Sequence, residues 1–239
     1  VVALKDGTWI PFVPPRSHVH THRKEGWIRE GLYSSIHLLE GELLKPLDLM
    51  VDWILQELED NIFLSAESGY NVADMESAFF DYGGFNLQPC LCPNATAHLR
   101  RDEIPQFIRV FWNTFWASYY PDTVCFAEWV KYFGRGGGPL YKTPDECKFV
   151  QFMRNMLVYE EGDELRIGMA VPREWMTDGK RVLHKGGSPF FGKIDLEITS
   201  RVSEGKMVAY LNLPSRNPAA SAVLRFRHPE SKPIARVTI

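Results

Sequence analysis

The sequence predicts a two-domain α+β protein, with helical hairpins over residues 1–162 and an antiparallel β-sandwich over residues 163–239. Two observations carry the prediction. Up to Gly162 apolar residues recur mostly at helical spacing, and beyond it they alternate with polar ones. A helix start is also written at Thr143-Pro144-Asp145-Glu146, where a Thr cap, a Pro in the first turn and a Glu three residues after the cap coincide.

Residues 1–30 are rich in proline and histidine, carry Trp9 and Trp27, and read as an ordered loop crossing a helical surface. Leu32, Ile36, Leu39 and Leu43 share one face of a helix over 31–44. Met50, Val51, Ile54, Leu55 and Leu58 share one face of a second over 47–63. Lys45-Pro46 breaks the run between them, which predicts an antiparallel hairpin. The polar and aromatic stretch 65–93 is long for a connection and is a place to seek function. Helices dense in Phe and Trp follow over 101–120 and 123–133, then a glycine-rich turn over 134–139. The helix that starts at Thr143 ends at Glu161-Gly162-Asp163.

Strands are expected over 165–170, 181–184, 192–202, 206–213, 222–228 and 234–239, with Glu204-Gly205 turning a hairpin. Ile194, Leu196 and Ile198 alternate with Asp195, Glu197 and Thr199. Leu224 and Phe226 alternate in the same way with Arg225 and Arg227. One sheet face is therefore buried and the other wet, and these arginines, with Arg236, belong to the wet one.

The chain has 239 residues, of which 45% are apolar and 13% aromatic, enough to bury a full core. A net charge of -3 and a pI near 6.2 give no basic patch for nucleic acid or an anionic membrane, so neither is expected as a partner. No apolar run reaches the roughly 18 residues of a membrane span. The chain starts at Val1 and stops inside a predicted strand, so both ends read as cut from a longer protein, and no compartment is assigned. Cys90, Cys92, Cys125 and Cys147 are too sparse for a disulfide framework and are expected as thiols.

The run from Thr143 through Phe152-Met153-Arg154-Asn155-Met156-Leu157-Val158, followed by Leu165-Arg166-Ile167-Gly168-Met169-Ala170-Val171-Pro172-Arg173-Glu174-Trp175, resembles a seam in bacterial glycoside hydrolases. There a toroid of paired helices, (α/α)6, enters a C-terminal β-sandwich. Ser188-Pro189-Phe190-Phe191-Gly192-Lys193, and Leu224-Arg225-Phe226-Arg227-His228-Pro229 before Pro233-Ile234-Ala235-Arg236-Val237, are similar to that sandwich. The resemblance covers residues 100–239; the first hundred share only its general character. It implies a carbohydrate-active protein, the C-terminal portion of a hydrolase of oligo- or polysaccharides. A complete toroid needs more helices than are predicted here, so a second polypeptide completing it is an implied partner.

Glycosidic hydrolysis requires two carboxyl groups, one protonated to donate to the leaving oxygen and one ionised as base or nucleophile. Glu128 is the acid candidate, because apolar neighbours in Phe126-Ala127-Glu128-Trp129 raise a carboxyl pKa and Trp129 offers a flat platform for a sugar. The plainer account is an exposed helix carboxylate beside a core Trp. Asp74 and Asp81 are candidates for the second carboxyl, with Glu76 weighed beside them, and Tyr82 and Asn86 for sugar contacts. For each of these, solvated loop polarity is the plainer account.

His18, His20 and His22 fall on one side of an extended chain, a spacing that suits zinc. Hydrogen bonding to sugar by His20, with Trp27, Arg29 and Glu30 beyond it, competes with that reading, as does a structural loop. No metal and no cofactor is assigned. Asp145 and Glu146 are explained by the cap. Asn94-Ala95-Thr96 fits a glycosylation sequon, and the glycines at 134–138 lack the Lys-Ser/Thr of a phosphate loop. Two further readings stand: a polysaccharide lyase, with Tyr82, Asn86, His98 and Arg100 as first suspects, and a non-catalytic binding or structural module.

Overall fold

The structure, a computed structural model, describes residues 1–14, 38–40, 43–63, 90, 92–129, 137–141 and 143–239. It is a mixed α+β fold that divides into two compact units, Val1–Phe152 and Met153–Ile239.

The first unit opens with a short antiparallel pair, β1 (Val2–Ala3) and β2 (Trp9–Ile10). Helix α1 (Leu49–Glu57) starts after Asp48, whose carboxylate accepts the Lys45 N–H at 2.8 Å. It buries Val51, Ile54 and Leu55, as its periodicity predicts, but leaves Met50 of the expected face exposed, and it passes into a π-helical turn at Leu58–Phe63. The expected helix over 31–44 and its hairpin with α1 lie largely outside the described residues.

Helices α2 (Asn94–Arg100) and α3 (Ile104–Ser118) follow, where the sequence predicts one helix starting at Arg101. The break is a Schellman turn: Asp102 N–H donates to Leu99 O at 3.1 Å and Glu103 N–H to His98 O at 2.9 Å, with Asp102 at φ 64°. Pro105 then sits in the first turn of α3, where its missing N–H costs nothing.

Residues 123–133 are expected as a helix, and their described part is a strand. β3 (Tyr119–Tyr120), β4 (Cys125–Trp129) and β5 (Gly137–Leu140) form an antiparallel sheet in that order. Short apolar runs suit either element. Here β4 has a strand on each side to satisfy its backbone, and the turn of Pro121 to Val124 returns it against Tyr119 and Tyr120. The core of this unit is aromatic: Phe107, Phe111 and Phe152 are fully buried, and Phe111 stacks on Phe149 at 5.3 Å between centroids. Helix α4 (Thr143–Leu157) completes the set.

In the second unit α4 runs directly into β6 (Val158–Glu161), which turns at Gly162 (φ 58°) into β7 (Glu164–Ile167). Glu161-Gly162-Asp163 is thus a hairpin turn and not the end of the helix. β11 (Ser221–Leu224) adds to β7 in parallel. The other sheet holds β8 (Arg181–Gly187), β9 (Ile194–Arg201) and β10 (Lys206–Asn212), all antiparallel, in the order β10-β9-β8. Gly205 (φ 72°) closes the β9–β10 hairpin as its sequence predicts.

Val158, Leu165 and Ile167 from one sheet and Val182, Ile194, Leu196 and Ile198 from the other meet in a single core. The expected strand over 222–228 ends at Leu224, and residues 234–239 form no strand and are exposed. Arg225, Arg227 and Arg236 therefore lie beyond β11.

Candidate functional site

Of the residues singled out by sequence, His20, Trp27, Arg29, Asp74, Asp81, Tyr82 and Asn86 lie outside the described residues, as do His18, His22, Glu30 and Glu76. Glu128 and Trp129 lie on β4. Trp129 pairs with Gly137, and the register shifts between Ala127 and Trp129.

The described residues bring together a different group in the first unit, centred on His98 of α2. His98 is 3% exposed. The Schellman turn folds Glu103 back over it, so His98 Nδ1 and Glu103 Oε2 are 2.7 Å apart. The Arg101 guanidinium locks the turn: its Nε donates to Glu103 Oε1 at 2.9 Å, one terminal nitrogen donates to Pro46 O at 2.6 Å, and the other bonds Asp52 of α1. On the other side stands Glu59, carried by the π-helical turn, with its Oε1 3.8 Å from His98 Nε2. That is too long for a hydrogen bond, and among the described residues the buried Nε2 has no other partner. Arg109 of α3 bonds Glu59.

The two carboxyls are tuned in opposite senses. Burial raises Glu59 above the ordinary carboxylate range; Arg109 and His98 oppose this, and Asp60 adds to it. The hydrogen bond to His98 holds Glu103 below that range, with help from Arg101. A carboxyl raised by burial thus faces an imidazole whose other nitrogen is held by a carboxylate that is lowered. Such a pair can hold or pass a proton.

Sequence inspection named His98 only as a lyase candidate and missed Glu59 and Glu103. The available signal is the spacing of His98 and Glu103 across a helix end, with Asp102 at a position that favours glycine or a short polar residue.

Asp145, at the start of α4, also holds a second segment. It is fully buried, and its Oδ1 accepts the Cys90 N–H at 2.9 Å. Asn94, the sequon asparagine, is also fully buried, so the folded chain does not present it for glycosylation. Burial pushes the Cys92 thiol well above its usual pKa, which makes it a poor ligand or nucleophile. Among the described residues no three of His, Cys, Asp and Glu gather as a metal site, and no helix is long and apolar enough to cross a membrane. Comparison with protein-family models, curated proteins and solved structures found no match.

Proposed function

We propose that the chain is a carbohydrate-active protein: the C-terminal portion of a glycoside hydrolase of the (α/α) toroid type with a β-sandwich, cleaving oligo- or polysaccharides by carboxylate acid/base chemistry. In this reading a second polypeptide completes the toroid. The observation that carries it is the seam. Helix α4 passes straight into β6, and the Gly168 and Ala170 N–H groups donate back to Leu157 O at 2.7 Å and Met156 O at 3.2 Å. This is the stretch whose sequence resembles the passage from toroid to sandwich. Two three-stranded sheets sharing one core support the sandwich.

A glycosidic acid must be protonated near neutrality. Burial moves Glu59 in that direction against its bond to Arg109, and Glu128 beside Trp129 has the sequence context. Reducing ends released from a polysaccharide panel are measured for the wild type, Glu59→Gln and Glu128→Gln. The expected outcome is a loss of about two orders of magnitude or more in one variant with its thermal midpoint kept. Full activity in both removes both residues.

One observation favours a uronate lyase as a second reading. Glu103 holds His98 Nδ1 at 2.7 Å, so Nε2 is the nitrogen not engaged by that carboxylate. Its product is an unsaturated uronate, seen by ultraviolet absorbance instead of hydrolytic release. Absence of both products from every substrate favours the non-catalytic module.

A further inference from the structure

Strand β8 carries a bulge near its end. His184 pairs with Leu196 and Gly187 with Ile194, so the register slips by one residue between them. The Gly187 backbone lies against the His184 ring: a Cβ added there would stand 2.0 Å from Nε2, so the imidazole takes the space of a side chain and only glycine fits. Nε2 is buried, and among the described residues it has no hydrogen-bond partner. Two carboxylates tie down the segment around this contact. Asp195 Oδ1 of β9 accepts the Gly186 N–H at 2.7 Å, and Glu160 Oε1 of β6 accepts the Phe190 N–H at 2.5 Å. Glu160 also accepts from Arg154 of α4. At the second tie Phe190 is 81% exposed, while Phe191 beside it is buried in the core shared by the two sheets.

We propose that residues 186–192 are a proton-operated strap, closed over His184 while its imidazole is neutral and released when the ring takes a proton. Protonation makes both ring nitrogens donors, and the buried Nε2–H then faces no acceptor. The ring reaches water only by leaving Gly187, which moves the strap. The charges around the ring are mixed in sign. Arg154 from α4 opposes an imidazolium, whereas Asp195 from β9 favours one, although its oxygens already accept from the Gly186 N–H and the Asn212 amide. Lys185 of β8 acts on Asp195, and Glu160 of β6 is engaged by Arg154 and the Phe190 N–H. Burial, with help from Arg154, holds the His184 pKa below its ordinary 6.5, so the closed strap takes a proton less readily than a solvated ring does. This contribution to closure is fully present above about pH 6.5 and is lost as pH falls through the lowered value. The carboxylate ties stay ionised at the start of that fall. The Gly186 N–H holds Asp195 below the ordinary carboxylate range, and although burial raises Glu160, its bonds to Arg154 and the Phe190 N–H outweigh that and hold it low. Release frees Phe190 and Phe191 together, an apolar pair of which only the first is exposed in the closed strap.

The test is hydrogen–deuterium exchange of the whole chain, read by mass spectrometry on peptides covering 185–192 from about pH 7.5 to about pH 5.5 and corrected for the intrinsic effect of pH on exchange. Protection of the strap amides is expected to fall by about threefold or more across that range, while β10 keeps its protection. His184→Gln has no charge to gain and should hold one level of protection at every pH. Where that variant fails to fold, Gly187→Ala takes its place: the added Cβ displaces the ring, and the strap should exchange as freely at the higher pH as at the lower. Constant protection in the wild type, a fall shared equally by β10, or a fall that persists in His184→Gln overturns the inference. In Gly187→Ala, protection that follows the wild-type profile does the same.

Discussion

His98 sits between two carboxyls whose stability contributions run oppositely with pH. Glu103 is held low by its bond to His98, so its contribution is present above the unfolded carboxylate value and is lost as pH falls through the lowered folded value. Glu59 is raised by burial. Between its unfolded and folded values the folded state binds the extra proton, and stability falls as pH rises through that window. Replacing Glu103 with Gln is therefore expected to cost about 1–2 kcal/mol at neutral pH, the difference between a charged and a neutral hydrogen bond. The cost should shrink towards zero in acid, where Glu103 is protonated. Denaturant titrations of both proteins across that pH range check it, and an equal loss at every pH would show that Glu103 acts by packing and not by charge.

At the scale of elements, the strongest sequence signals became what they predicted. The apolar stripe of α1, the start of α4 near Thr143-Pro144, and the alternation through Ile194, Leu196 and Ile198 all match the structure. The failures came where local pattern had to be settled by partners. Phe126 and Trp129 satisfy a helical spacing, yet β3 and β5 claim that segment for a sheet. The sheet has a local cost: Val124, 74% exposed at φ 53°, is a β-branched residue in the left-handed region. Val124→Gly is expected to stabilise the fold by about 1 kcal/mol, read as a rise in denaturation midpoint. A fall would mean the isopropyl group has a packing role. At the seam the sign reverses, because Gly168 (φ 69°) would bring an added Cβ within 2.9 Å of Arg225 O. Gly168→Ala should lose about 2 kcal/mol or more. A neutral result by the same titration would show that the seam can shift.

The α+β class of the whole molecule was legible because a buried face repeats with the period of its element, helical through α1 and α3 and alternating through β9, although strands β3–β6 also lie before Gly162. The candidate site was less legible. His98, Glu103 and Glu59 come from α2, a turn and a π-helical segment, and their grouping depends on how helices pack, which no local window of sequence records. The carbohydrate reading rests on the resemblance of the sequence from Thr143 onward. The most direct test is to incubate the chain, purified together with any polypeptide that copurifies with it, with a panel of neutral and uronic polysaccharides and assay new reducing ends together with unsaturated-uronate absorbance. The hydrolase reading predicts new reducing ends without the absorbance. Absorbance from uronic substrates would contradict hydrolysis in favour of elimination, and neither signal from any substrate would contradict catalysis by this chain.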